Sequence, residues 1–298
     1  MYMKRNEISI LIPVYNYICL PLVQAIQQQA ARLDIQYEII VADDGSTQIE
    51  TVAANNAINT LPSCYFIRRE TNAGSSATRN FLMRKSRFQW LLFMDCDMEI
   101  DNPHFLQRYM EADGDDIING GIAVGGDSKH WEQNLRYRYE RQCEPQHVAK
   151  ERAKQPYRSF RTTNFMAKRD VMLNNPFDER FLRSGYEDVF FGKQLCQNNV
   201  TILHIDNPLL LTDYEPNSAY VKKTEERLHT LYQFRSELKG YSTLLTFVEG
   251  IHMSIIINII KICHSLFARW ERRSLCSNHP NLTIFKLYQL GYYLNIKD

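Results

Sequence analysis

The sequence predicts an α/β protein on a doubly wound, mostly parallel sheet, with a helical C-terminal extension. Three observations predict it. Apolar runs of strand length alternate four times with helix-length segments across the first third of the chain. These runs lack polar alternation, as expected of strands buried on both faces. From Ser218 onward the pattern is helical only.

The elements follow in order. Residues 8–16 form a first buried strand stopped by Pro13, and residues 20–33 have helical spacing. Residues 37–42 form a second strand that ends in the turn Asp43-Asp44-Gly45-Ser46. Ser46 or Thr47 is expected to cap a helix running to about Thr60. Residues 63–68 are a third strand. The polar loop Asn72-Ala73-Gly74-Ser75-Ser76 opens a helix carrying Arg79 and Asn80, and residues 88–94 form the fourth strand. Residues 116–126 read as one strand with permissive glycines, and residues 162–167 as another. Between them, residues 129–161 are rich in Arg and Lys, interleaved with Trp131, Tyr137, Tyr139 and Tyr157, and are helical in part. Residues 184–192 open a helix to about Gln197, and a last strand spans residues 200–205.

Two domains are expected: residues 1–217 around the sheet and residues 218–298 as the helical extension. Within the extension, residues 221–238 are amphipathic and charged. Residues 244–267 are more apolar but interrupted by Glu249, His252, Asn258, Lys261 and His264. A packing face is the favoured reading of that stripe. The flank Arg269-Trp270-Glu271-Arg272-Arg273 leaves peripheral membrane contact open.

Bulk properties exclude several classes. The net charge of +1 gives no global field for nucleic acid or for an anionic membrane. Seven Cys residues, odd in number and without a C-x-x-C pair, point to a reduced, cytoplasmic compartment without a zinc site. The start lacks the apolar core of a signal peptide, and no window is apolar enough to span a bilayer. Neither G-x-G-x-x-G after the first strand nor G-x-x-x-x-G-K-[ST] is present, which demotes dehydrogenases and P-loop hydrolases.

The fourth strand carries the chemistry. Its apolar run ends in Asp95-Cys96-Asp97, where open α/β sheets bind ligands. In extended chain, residues i and i+2 point to the same side, so both carboxylates can converge on Mg²⁺ or Mn²⁺, or on a cation and a ribose. The bland alternative is a strand-end turn.

Five motifs now stand in one order: Ile12-Pro13-Val14-Tyr15-Asn16, Asp43-Asp44-Gly45-Ser46, Asn72-x-Gly74-x-x-x-Thr78-Arg79-Asn80, Asp95-Cys96-Asp97 and Glu187-Asp188. Together they resemble the family 2 glycosyltransferases of the GT-A fold, over residues 8–220. Each motif alone is weak; the order and spacing carry the resemblance. Thr78 stands where the family usually has Ala.

Pro13 and Tyr15 offer a platform for a nucleotide base, and Asp44, with Asp43 beside it, offers acceptors for the base edge and ribose. Arg79 offers a planar fork for a base carbonyl or phosphate. The resemblance implies that Asp95 faces ribose and metal, that Asp97 binds Mn²⁺ or Mg²⁺, that Asp188 is the general base and that Glu187 supports it. Lys129, Arg152, Arg158 or Arg161 are candidates to assist the leaving diphosphate. Gly125-Gly126, Asn164 and the segment 186–188 are candidates for acceptor contact. The region 129–161 is a candidate lid.

The resemblance implies an inverting, metal-dependent enzyme. It would move a sugar from a nucleoside-diphosphate sugar, UDP being expected, to a hydroxyl of a glycan or lipid-linked acceptor. One departure concerns a metal-ligating His that many GT-A enzymes carry after the Glu-Asp helix. Leu211 and Thr212 stand at its place, with His204 earlier and Asp213 later. That departure keeps a second reading, a nucleotide-sugar-binding protein with little or no turnover. A nucleotidyltransferase, a third, does not explain a Glu-Asp motif so far along the chain.

Overall fold

The computed structural model describes residues 5–114, 116–182, 185–251 and 253–297; residues 1–4, Ser184 and His252, which enter the sequence reading, lie outside the described residues. Seven strands form one sheet in the order β3 (Cys64–Arg68), β2 (Gln36–Asp43), β1 (Glu7–Val14), β4 (Trp90–Met94), β7 (Asn164–Lys168), β5 (Ile117–Asn119) and β8 (Ile202–His204). The first four strands are mutually parallel. Helices α1 (Leu20–Arg32), α2 (Ile49–Asn56) and α3 (Gly74–Lys85) make the crossovers.

The two sheet faces explain the missing polar alternation. Ile8, Ile10 and Ile12 pack with Val23 and Ile26 of α1 on one side. Leu11, Leu91 and Phe93 pack with Leu82 of α3 on the other. Both faces are buried, so most positions of these strands are apolar, and the buried exceptions Ser9 and Glu38 bond each other at 2.6 Å.

β7 runs antiparallel to both of its neighbours, β4 and β5. The single strand expected over residues 116–126 is broken at Gly120-Gly121. Its second part, β6 (Ile122–Val124), leaves the main sheet and pairs with β9 (Leu209–Leu211) in a separate two-stranded sheet. Packing enforces the break: a Cβ on Gly120 would lie 2.3 Å from the Tyr109 hydroxyl, and Gly121 has φ +80°. Tyr109 belongs to α4 (Phe105–Glu111), which the sequence pattern does not resolve.

The expected cap of the second helix is also corrected. α2 begins at Ile49, and Gln48 precedes it without a side-chain bond. Ser46 Oγ instead accepts from Asn16 N at 2.7 Å, and Asn16 Oδ1 accepts from Thr47 N at 2.8 Å and Gln48 N at 3.1 Å. Ser46 and Thr47 thus tie the β2 turn to the end of β1.

The basic segment folds as α5 (Ser128–Trp131), α6 (Leu135–Cys143) and α7 (Ala149–Arg152). α8 (Arg169–Asn174) and α9 (Glu187–Gln197) follow β7. The C-terminal region comprises α10 (Asn217–Gln233), α11 (Thr243–Glu249), α12 (Ser254–Leu275) and α13 (Leu282–Asn295). Leu135 of α6 packs with Tyr220, Val221 and Phe285, and Phe181 stacks on Phe234 with ring centroids 4.2 Å apart. Two apolar clusters therefore tie the extension to the sheet region.

The stripe expected to pack does so only in part: Leu244, Leu245 and Val248 of α11 join the apolar cluster around Phe181 and Phe234, and His264 of α12 is buried. Gly250 ends α11, α12 starts at Ser254, and Ile255, Ile259, Ile262 and Leu266 of α12 are exposed. Among the described residues, no helix is long and apolar enough to cross a membrane.

Candidate active site

β4 delivers its two acids to the carboxyl rim of the parallel strands, between β1 and β7. Asp95 N donates to Thr163 O at 3.0 Å, which fixes the strand end against the chain entering β7. Tyr15, just past β1, is 46% exposed and free to present its ring at this rim. Its backbone bonds to Cys96, so the Tyr15 platform adjoins the two acids. Asn16 and Tyr186 both adopt positive φ, at 50° and 67°.

Arg79 is the hub. It projects from the second turn of α3 and is 3% exposed. Its Nη2 meets Asp95 Oδ1 at 2.7 Å. Burial alone would lower its pKa, but Asp95, Glu187 and Asp188 together raise it, so all three acids lie within electrostatic reach of this one guanidinium. Its Nε and Nη1 are buried without a hydrogen-bond partner among the described residues. Such unmet donors on a buried cation fit an anionic ligand.

The Glu-Asp pair opens α9. Gly185 has φ +121°, and Tyr186 in the left-handed conformation precedes the first helical residue. Glu187 Oε2 accepts from Gly185 N at 2.7 Å, and Asp188 Oδ1 accepts from Val189 N at 2.8 Å. Burial, then the Asp188 charge, raises the Glu187 pKa against the pull of Arg79.

Asp97 stands among cations absent from the sequence candidates. Burial, then Asp95, raises its pKa, whereas Arg136 and Lys223 pull it down. Arg136 comes from α6, and its Nη1 meets Glu215 Oε2 at 2.5 Å. Lys223 of α10 meets Glu215 Oε1 at 3.1 Å. The charges of Asp213, Asp97 and Glu99, with burial foremost, push the Tyr17 hydroxyl up to about 12. Residues so far apart offered no spacing signal; only the fold collects them.

Several candidates are corrected. Asp44 is 4% exposed, and its carboxylate accepts from Gly74 N at 2.8 Å, Ala73 N at 3.1 Å and Arg69 Nη1 at 2.8 Å. It therefore anchors the entry to α3, and little of it is left to face a base edge. Asp43 likewise turns inward, bonding Ser46 N and Oγ. Gly45 makes both contacts possible: it has φ +73°, and a Cβ there would lie 2.8 Å from Asn72 N.

Asn164 is not an acceptor contact. Its Oδ1 accepts from the Tyr109 hydroxyl at 2.6 Å, and its Nδ2 donates to Gly121 O and Asn207 O at 2.8 Å each. Gly126 admits Trp131, whose ring a Cβ would meet at 3.0 Å, and Gly125 O accepts from the Tyr214 hydroxyl.

Arg152 is no diphosphate ligand. It is buried and donates to the carbonyls of Asn119, Gly120, Ile205 and His147. His204 is no metal ligand, because its Nδ1 lies 2.6 Å from Arg152 Nη1 and its Nε2 meets Pro156 O. Burial, then Arg152, lowers its pKa to about 4, which keeps it neutral. Lys129 and Arg158 are exposed, whereas the charge of Arg161 reaches Asp188 and Glu140.

The donor set suits a hard cation only in part. Asp95 and Asp97 supply oxygen ligands, and a divalent ion would relieve the penalty that burial and mutual repulsion place on Asp97. Thr212, at the place of the expected His, donates its hydroxyl to Glu99, and among the described residues no cluster of three or more His, Cys, Asp or Glu stands ready for a metal. Two shallow surface hollows, of about 500 and 580 Å³, are lined by residues such as Asp116 and Val200, and Glu7 and Gln36. Both lie at the amino ends of the strands, opposite the acid-bearing rim.

Comparison with known proteins fits this geometry. The family model described as Glycosyl transferase family 2 matches residues 9–177, more than half of the chain. Chondroitin synthase of Escherichia coli is 30% identical over 125 residues, which cover 42% of this chain and 18% of that protein. An uncharacterized glycosyltransferase of Haemophilus influenzae is 35% identical over 100 residues, or 34% of this chain and 40% of its own length. The matches thus span less than half of either relative.

Among solved structures, the mannosyltransferase PcManGT from Pyrobaculum calidifontis, in complex with GDP-Man and Mn2+, superposes with a TM-score of 0.56. It is 12% identical, covering 97% of this chain and 85% of its own. TarS from S. aureus gives a TM-score of 0.51 at 14% identity, covering 96% and 89%. These likenesses show the fold, which is GT-A. With the family match over residues 9–177, which carry both Arg79 and Asp95, the chain belongs to glycosyltransferase family 2.

Proposed function

We propose that the protein is an inverting, divalent-metal-dependent transferase. In this reading it moves a sugar from a nucleoside-diphosphate sugar, UDP being the expected nucleotide, to a hydroxyl of a glycan or lipid-linked acceptor. The observation that carries this reading is the convergence of Asp95, Glu187 and Asp188 on the buried Arg79 guanidinium. Four groups from three sequence-distant segments, two helices and one strand end, gather there, the guanidinium among them. The PcManGT complex with GDP-Man and Mn2+ supports the class of donor and metal. The chondroitin synthase match supports a glycan acceptor. Seven free thiols support a cytoplasmic setting.

The roles follow from position. Tyr15 and Pro13 offer the base an apolar surface beside the acids. Arg79 holds Asp95 in place, and its positive charge offsets the acids gathered at the donor site. Asp97 and Asp95 would hold Mn²⁺ or Mg²⁺ together with the diphosphate, and that ion would neutralise charge developing on the leaving group. Arg136 and Lys223, beside Asp97, add fixed positive charge there. Asp188 accepts the acceptor hydroxyl proton as that oxygen bonds to the anomeric carbon and the sugar–phosphate bond breaks on the opposite face. One such displacement inverts the anomeric centre. Glu187, bonded to Gly185 N, steadies the turn that aims Asp188.

The test is a screen of sugar nucleotides with and without Mn²⁺, read as thermal stabilisation and as release of nucleoside diphosphate. Asp188→Asn should lower transfer by about 10²- to 10⁴-fold while donor-induced stabilisation persists. Retained anomeric configuration in the product, or full activity of Asp188→Asn, would overturn the reading.

A further inference from the structure

α12 presents its apolar side to solvent. Its inner side, with Ile257, Ile260, His264 and Leu275, lies against α13, and a Cβ on Gly291 of α13 would lie 2.6 Å from His264 Cβ. The outer side carries Ile255, Ile259, Ile262, Leu266 and Trp270 at helical spacing, with Leu266 73% exposed. Helices normally turn such a stripe toward the core. A contiguous apolar stripe left in water marks a surface that something else covers.

The charges on α12 indicate what covers it. Its one carboxylate, Glu271, is turned inward, with Oε2 2.7 Å from His264 Nδ1. Arg269, Arg272 and Arg273 are exposed around Trp270. Arg272 bonds Glu225, whereas Arg269 and Arg273 have no ion pair among the described residues. The exposed side of the helix thus offers branched aliphatic side chains, an aromatic end and cations, with no carboxylate. This combination fits the headgroup zone of an anionic bilayer: the stripe enters the acyl boundary and the guanidiniums stay among phosphates. A second copy of the chain fits less well, since mating two such stripes brings no carboxylate to meet Arg269 or Arg273.

We propose that α12 docks the protein on an anionic lipid surface, lying in the interface along its length of about 33 Å. This inference does not depend on the transfer reaction.

The test uses the full chain with vesicles of phosphatidylcholine alone and of phosphatidylcholine mixed with phosphatidylglycerol. Cosedimentation should favour the anionic vesicles by about tenfold or more and weaken with added salt. Emission should shift to shorter wavelength on binding, and Trp270→Phe should remove the shift. The paired variants Ile259→Glu/Leu266→Glu and Arg269→Glu/Arg273→Glu should each cut binding by about tenfold or more. Their melting temperatures should match the wild type, since all four residues are exposed. Absence of vesicle binding, or equal binding to neutral vesicles, would overturn the proposal. So would a dimer in sedimentation equilibrium that Ile259→Glu/Leu266→Glu dissolves, because a second copy would then cover the stripe.

Discussion

Replacing Arg79 by Met probes the site through stability rather than turnover. Met keeps most of the side-chain volume, so the change removes charge with little cavity. The guanidinium lost is 3% exposed, and it faces Asp95 at 2.7 Å and the charges of Glu187 and Asp188. Removing one partner of a buried pair costs about 3–5 kcal/mol. Asp95 retains 26% side-chain exposure and stays partly solvated, so the expected cost falls to about 2–3 kcal/mol. In a chain of this size that corresponds to a fall of about 5 °C in melting temperature at neutral pH.

The pH dependence sharpens the test. The Glu187 pKa is raised by burial and by Asp188, and Arg79 opposes that rise. Without Arg79 the Glu187 pKa climbs further. A carboxyl raised above its unfolded value contributes stability below that value and loses it as pH rises through the folded one. The variant-minus-wild-type difference should therefore be larger at pH 8 than at pH 5. The assay is thermal denaturation of both proteins at the two pH values. A melting temperature within about 1 °C of wild type at both would refute the view that Arg79 neutralises these acids.

Three more predictions follow from the same geometry. Arg136→Gln should lower kcat by about 10- to 100-fold through loss of positive charge beside Asp97, and should also lower the melting temperature at neutral pH because Glu215 loses its main partner; steady-state kinetics beside a melt check this. Acid should destabilise the fold in two stages, read from melting temperature against pH. His147 and His204, both held near 4 chiefly by burial, lose stability as pH falls from about 6.5 toward 4, and Glu215, lowered to about 2 chiefly by Arg136 against burial, loses it below about 4.5. Gly192→Ala should cost about 2–3 kcal/mol in denaturant titration and depress transfer, because its Cβ would lie 2.2 Å from Tyr157 O and push α9 with Asp188 outward.

The parallel half of the fold was legible because burial on both faces leaves unbroken apolar runs, such as Leu91-Leu92-Phe93-Met94, that end in polar turns. The acids at 95 and 97 were legible because they stand at such an end, whereas Glu187 and Asp188 open a helix and were legible only through the family resemblance. Strand direction was not, since the run at Phe165-Met166-Ala167 reads the same in either sense. The break at Gly120-Gly121 follows from the Tyr109 hydroxyl, a contact far away in sequence. Polar side chains gave the least reliable signal. Asn164 and Arg152 carry groups suited to a ligand, yet the fold meets their hydrogen-bonding capacity internally. Arg136 gave no signal, because only the approach of α6 to the end of β4 sets it beside Asp97. Helical spacing showed the stripe on α12 but not which way it turns.

The reversed strand β7 has a consequence for how such a chain can diversify. The chain leaves the main sheet at Gly120-Gly121 and re-enters beside β4 only at Asn164, so residues 121–163 form an excursion closed at both ends. Its length can change without altering the register of the strands that carry Tyr15, Asp95 and Asp97. New surface loops can therefore be grafted into that excursion while the parallel half is inherited intact, provided Arg152 keeps its hold on the carbonyls beneath it.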